Sequence, residues 1–261
     1  MSTKALVFAV SCSALVFGCG SDQPSDLASE NQEIIDNLVQ AGFPASDIQV
    51  FDGKVYVGLD AEVSLQASRE MLQTDPADDR EQYRTTNLVG TGVTNICVNG
   101  AAFTGIFSTA LTNAIGNYNA LGLRWHMTRT SGSTTGCSAT ITARVSSGTG
   151  GSSGFPSGGL PFNTINIGSG LQSGFPTSTV THVITHELGH CVGFRHSDFF
   201  NRSISCGGAA TNEGTAGVGA ILIPGTPSGA TVGGSVMNSC FRQTETGKFT
   251  STDITALNAL Y

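Results

Sequence analysis

Apolar positions recur with two different periods along the chain, and the change of period separates its elements. In SENQEIIDNLVQAGF the residues Ile34, Ile35, Leu38 and Val39 fall at helical spacing and stop at Gly42, which predicts a helix from about Ser29. DIQVFDGKVYVGLD alternates on either side of Asp52-Gly53, a hairpin signal, and SLQASREMLQ returns to a helical period. Together they predict a small α-β-β-α unit. TDPADDREQYRT, Thr74 to Thr85, is polar, carries Pro76 and reads as a linker and processing region.

After the linker, NLVGTGVTNICVNG reads as strand and turn, AAFTGIFSTALTNAIGNYNAL as a helix, and LRWHMTRT and SATITARVSS as strands. Residues 146–160 are so rich in Gly that a flexible loop is expected. FNTINIG alternates; it is either a plain structural strand or an edge strand that takes an extended peptide by strand addition. A helix is predicted over Pro176 to Val192, followed beyond Asp198 by an irregular stretch. FTSTDITALNALY closes the chain as a helix capped near Ser251 or Thr252. Helices interspersed with strands indicate an α+β fold.

The ends and the charge divide the chain further. Lys4 followed by the apolar run Ala5 to Phe17 reads as an export signal. LVFGC resembles a bacterial lipoprotein box, with Cys19 as the acylated residue; ordinary secretion is the alternative. Residues 20–84 hold 14 acidic and 4 basic side chains, net −10, whereas residues 85–261 hold 5 and 7, net +2. The expected organisation is therefore a signal over 1–19, an acidic pro-segment and linker over 20–84, and a larger, mildly basic domain over 85–261. The acidic segment either solubilises a leader or inhibits the mildly basic domain by docking on it. No basic cluster points to nucleic acid. Past the N-terminus no apolar run reaches the ~18–20 residues of a membrane span, so membrane contact would be through a lipid anchor.

The chemistry concentrates in THVITHELGHCVGFRHSD, which holds four of the five histidines. Four residues are 400° of helical turn, so His186 and His190 project from one face, one turn apart, able to share a metal ion. Glu187 lies 100° round from His186, suited to contact a water on that metal. Gly193 ends the helix, and the exit lets His196 return as a third ligand. Three imidazoles leave a fourth position open, the pattern of a catalytic zinc site. By chance, H-E-x-x-H would appear in a shuffled chain of this composition roughly three times in a thousand, so a solvated histidine face is a poor account of it. His182 reads as a residue behind the ligands or at the surface, and Asp198 as either a group orienting a ligand or a solvated one.

HELGHCVGFRH matches the long signature of the metzincin zinc metallopeptidases, HExxHxxGxxH. With the following SD and SCGG it resembles the bacterial dual-action HEIGH metallopeptidase family in particular. The resemblance implies a twisted mixed sheet, an active-site helix, a Met-turn at Met237 in SVMNSC and a C-terminal helix. It implies a zinc endopeptidase in which His186, His190 and His196 hold Zn2+, Glu187 is the general base, and the substrate is a protein or peptide. No Tyr follows Met237, so no tyrosine ligand is expected. Calcium stays open as a second ion, although no ligand string marks a site. A different class, a zinc-stabilised surface lipoprotein that binds a protein partner without cleaving it, gives Glu187 nothing to do.

Beyond the signal and Cys19 five cysteines remain, and export makes disulfides plausible. Cys97–Cys137 is the favoured bridge, with Cys240 joined to either Cys206 or Cys191. Cys191, 100° from His190, is poorly placed to reach the same ion.

Overall fold

The computed structural model describes residues 24–73, 82–214, 220–227 and 229–261. The signal, Cys19 and residues 74–81 of the expected linker lie outside them. The N-terminal unit is helix α1 (Pro24–Gln40), strands β1 (Gln49–Phe51), β2 (Lys54–Val57) and β3 (Ala61–Glu62), and helix α2 (Leu65–Met71). The α1 face bearing Ile34 and Leu38 packs against Val55, Val57, Ala67 and Met71 in a cluster that also takes in Phe155 of the larger part. The β1–β2 hairpin turns at Asp52 and Gly53, both with positive φ, as the Asp-Gly pair predicts. Helix α1 starts at Pro24, one turn and more before the expected Ser29. Ser64 caps α2 by accepting from Ala67 N.

The larger part follows with β4 (Tyr83–Arg84), β5 (Asn95–Asn99), α3 (Gly105–Asn119), β6 (His126–Thr130), β7 (Ala139–Ser146), β8 (Gly151–Gly154) and β9 (Thr164–Gly168). Helices α4 (Thr177–Cys191) and α5 (Ser203–Cys206), strand β10 (Ile221–Leu222) and helix α6 (Ser251–Leu260) complete it. One mixed sheet runs through both parts in the order β1-β2-β3-β8-β9-β7-β5-β6. Strand β5 pairs in parallel with β6 and β7, and β7 with β9; the crossover from β5 to β6 is α3. α3 buries Phe107, Leu111, Ile115 and Tyr118, one side chain per turn, against α4 and the sheet. The α+β reading holds.

One open alternative about the strands is decided and one expectation is corrected. FNTINIG supplies β9, which is internal, paired with β7 on one side and β8 on the other. The cleft-side strand is β8, inside the Gly-rich stretch expected to be a flexible loop. It runs antiparallel to β9. Glycine patterns hide such a strand, because there are few side chains to alternate. β3 pairs in parallel with the outer side of β8, Ala61 opposite Ser153 and Glu62 opposite Gly154. The N-terminal unit thus extends the sheet of the larger part.

Candidate metal centre

Helix α4 is central: from Thr179 to Cys191 all of its side chains are buried, polar ones included. A helix that is polar and buried has to satisfy its groups internally. Tyr118 Oη donates to Thr185 O at 2.8 Å and Thr185 Oγ1 to Thr181 O at 2.7 Å. Gly193 has φ of +106°, and a Cβ there would come within 2.6 Å of Asn87 O. The glycine is required both by the left-handed exit and by the segment lying against it. The chain then returns His196 to the face already carrying His186 and His190.

The three Nε2 atoms converge. His186 and His190 are 3.0 Å apart, and His196 is 3.3 Å from each. Every Nδ1 is taken: His186 by Val236 O at 2.9 Å, His190 by Phe194 O at 2.7 Å, His196 by Glu213 Oε1 at 2.8 Å. A proton on each Nδ1 leaves three Nε2 lone pairs facing one point. Donors at 2.0–2.1 Å from a tetrahedral ion lie about 3.3–3.4 Å from one another. The trio therefore fits Zn2+. Negative potential adds to this: burial opposes charge on His196, but the Asp60 and Glu213 carboxylates push its pKa up. Burial holds His190 well down.

The fourth corner is occupied by a residue the sequence did not reveal. Asp60, between β2 and β3, brings Oδ2 to 3.5 Å from His186 Nε2 and 3.3 Å from His196 Nε2, and Oδ1 to 3.5 Å from His190 Nε2. These four residues form one group suited to a metal. Burial disfavours the Asp60 carboxylate, but the three imidazoles hold its pKa below the usual range. Leu59 beside it takes φ of +83°, a conformation costly for a leucine, on the order of 1–3 kcal/mol.

Glu187 faces the same point. Its Oε2 accepts from Ser153 Oγ of β8 at 2.8 Å. Burial first, then the charge of Asp60, push its pKa well up. A cavity of about 280 Å3 opens beside Glu187, walled by Leu59, Thr149, His182, Val183 and Phe241.

Met237 is buried below the helix, where a Cβ on Gly189 would come within 2.6 Å of its Sδ. Met237 thus occupies the space that a side chain at position 189 would need. The turn is set by α6: Asp253 accepts from Ser235 Oγ at 2.6 Å and from Val236 N at 3.0 Å. The α6 N-cap is Thr250, in a capping box with Asp253, rather than Ser251 or Thr252. His182 is buried with Nδ1 3.7 Å from Glu245 Oε2, and its Nε2 has no partner. Asp198 meets none of the histidines; it accepts from Ser205 and Ser239. Bridges join Cys97 to Cys137 and Cys206 to Cys240, leaving Cys191 as a buried free thiol. Cys191 is therefore not a disulfide partner: its Sγ lies against Thr164 O, inside the core.

Three converging imidazoles on an H-E-x-x-H helix, with a methionine turn beneath, define a zinc metallopeptidase of the metzincin type. Residues 55–261 match the model of the dual-action HEIGH metallo-peptidase family, and the chain belongs to that family. No curated protein sequence matches it. Among solved structures, one of myroilysin aligns over 67% of this chain and 95% of its own at 13% identity, TM-score 0.42. A second of myroilysin aligns over 67% of this chain and 86% of its own at 14% identity, TM-score 0.40. High choriolytic enzyme 1, a hatching enzyme zinc-protease from Oryzias latipes (medaka fish), aligns over 67% of this chain and 92% of its own at 16% identity, TM-score 0.40.

Proposed function

We propose that this chain is an exported zinc endopeptidase made as a latent precursor, and that residues 20–84 are its inhibitor. His186, His190 and His196 would hold the ion, whose chemistry when bound would be to lower the pKa of a water and polarise the peptide carbonyl. Glu187 takes the proton at its free carboxylate oxygen and delivers it to the leaving amine. Ser153 holds the other oxygen, which keeps the carboxylate aimed. A substrate strand would add to the outer side of β8.

The observation that carries the reading is the convergence of three Nε2 lone pairs beside Glu187, with Asp60 at the fourth corner. Asp60 stands where the water belongs, and β3 covers the side of β8 that a substrate would use. The unit is fastened by Asp47, which pairs with Arg202 at 2.8 Å. Glu70 accepts from Gly158 N at 2.9 Å and from Asn87 Nδ2 at 3.1 Å. Its acidic surplus over a mildly basic domain supports the same docking. Cleavage within 74–85 would release it. The two disulfides support an oxidising compartment outside the cytosol, reached through a signal ending at Cys19. Calcium forms no part of the proposal.

The test is zinc analysis with cleavage of casein and a peptide library, for the precursor, the chain cut between 74 and 85, and Glu187→Ala. Zinc should be bound by all three and turnover seen in the cut wild type alone. A cut wild-type chain that binds zinc and cleaves nothing would leave the non-catalytic, partner-binding reading in its place.

A further inference from the structure

The three imidazoles of the trio have unlike partners. His186 and His190 each give Nδ1–H to a backbone carbonyl, Val236 O and Phe194 O. Only His196 has its Nδ1 on a carboxylate, Glu213 Oε1, at 2.8 Å. Glu213 lies 17 residues further on, in a stretch with no hydrophobic period. It is 1% exposed. Resting on the reading of the trio as a zinc centre, we infer that Glu213 is a positioning residue of that centre: it fixes the ring and tautomer of His196 and strengthens it as a donor.

Glu213 also belongs to a buried cluster of charges, 3.6 Å from Arg195 and 3.5 Å from Arg202, but its shortest side-chain contact goes to the imidazole. Ser239 Oγ is 3.4 Å away. The surrounding chain holds the carboxylate still: Glu213 N donates to Phe199 O at 2.7 Å, and Arg202 N to Thr211 O at 2.9 Å. A carboxylate behind a ligating imidazole leaves the Nε2 lone pair to the metal and raises its basicity; losing such a partner typically weakens metal binding ~10–100-fold. Asp198 provides the internal control. It ties the same region together through Ser205 and Ser239 and touches no histidine.

The experiment measures zinc affinity by chelator competition on the full chain for wild type, Glu213→Leu, Glu213→Gln and Asp198→Asn, with thermal melts of the metal-free proteins. Glu213→Leu should bind zinc ~10–100-fold more weakly. Glu213→Gln should fall between it and wild type, because an amide oxygen still accepts from Nδ1. Asp198→Asn should melt lower yet keep wild-type affinity within about threefold, so weak zinc binding cannot be put down to a loosened loop. Wild-type affinity in both Glu213 variants overturns the inference. So does an equal loss in Glu213→Gln and Asp198→Asn, a comparison that stands even if Glu213→Leu does not fold. A wild-type chain that takes up no zinc refutes the zinc centre itself, a result distinct from either.

Discussion

Asp60 Oδ2 lies 3.3 Å from His196 Nε2, so a residue of the N-terminal unit stands at the centre of the site carried by α4. Asp60→Ala should free the fourth position without any chain cleavage. Peptide turnover by the uncut chain should then rise tenfold or more, since each ~1.4 kcal/mol of lost blocking is a factor of ten. A quenched-peptide assay on uncut wild type, uncut Asp60→Ala and cut wild type decides it. If the variant is as silent as uncut wild type while the cut chain is active, removing Asp60 alone does not open the site and the β3 cover on β8 suffices to block it.

The Cys206–Cys240 bridge closes 34 residues that include Glu213. Replacing both by Ser should cost about 3–4 kcal/mol, the loop-closure value for that length. Denaturant unfolding measures it. Thiol titration of the chain from residue 20 onward should find one sulfhydryl, Cys191, reactive only after unfolding; two or more in the native state would contradict the pairing.

Asp253 is buried and accepts from Ser235, Val236 and Thr250. Asp253→Ala leaves those donors unpaired and removes half of a capping box, a loss of about 2–4 kcal/mol. Because Val236 O also receives the Nδ1–H of His186, the same variant should bind zinc more weakly. A stability loss under about 0.5 kcal/mol would show that the Met-turn stands without this anchor.

His182 gives the metal-free protein a pH dependence of known sign. Burial chiefly, with His186 and Arg242, lowers its pKa from 6.5 to about 4, against the pull of Glu245. The folded state thus binds fewer protons than the unfolded one. Stability is full above pH 6.5 and falls as the pH drops toward 4, by up to about 3 kcal/mol at ~1.36 kcal/mol per unit. Glu245, lowered against its own burial chiefly by Arg242, adds a loss in the same direction below its ordinary value. Urea unfolding at pH 7 and pH 4.5 should show a smaller drop for His182→Gln than for wild type; equal drops would place the acid lability elsewhere.

Local pattern determined much of this protein. Periodicity located most of the helices and strands, and Asp-Gly set the β1–β2 turn. Helix spacing put His186 and His190 on one face of α4, and Gly193 marked the exit after which His196 could join them. The tertiary structure decided what depends on partners far away in the chain. Gly151 and Gly154 lie in β8 because they pair with β9 and β3, not because of their own propensity. Cys191 stays free because α4 buries it in the core while Cys206 and Cys240 meet across a loop. Asp60 and Glu213 reach the histidines from segments with no motif of their own. A carboxylate's role is set by what it faces, and no local spacing encodes a contact between residues 60 and 196.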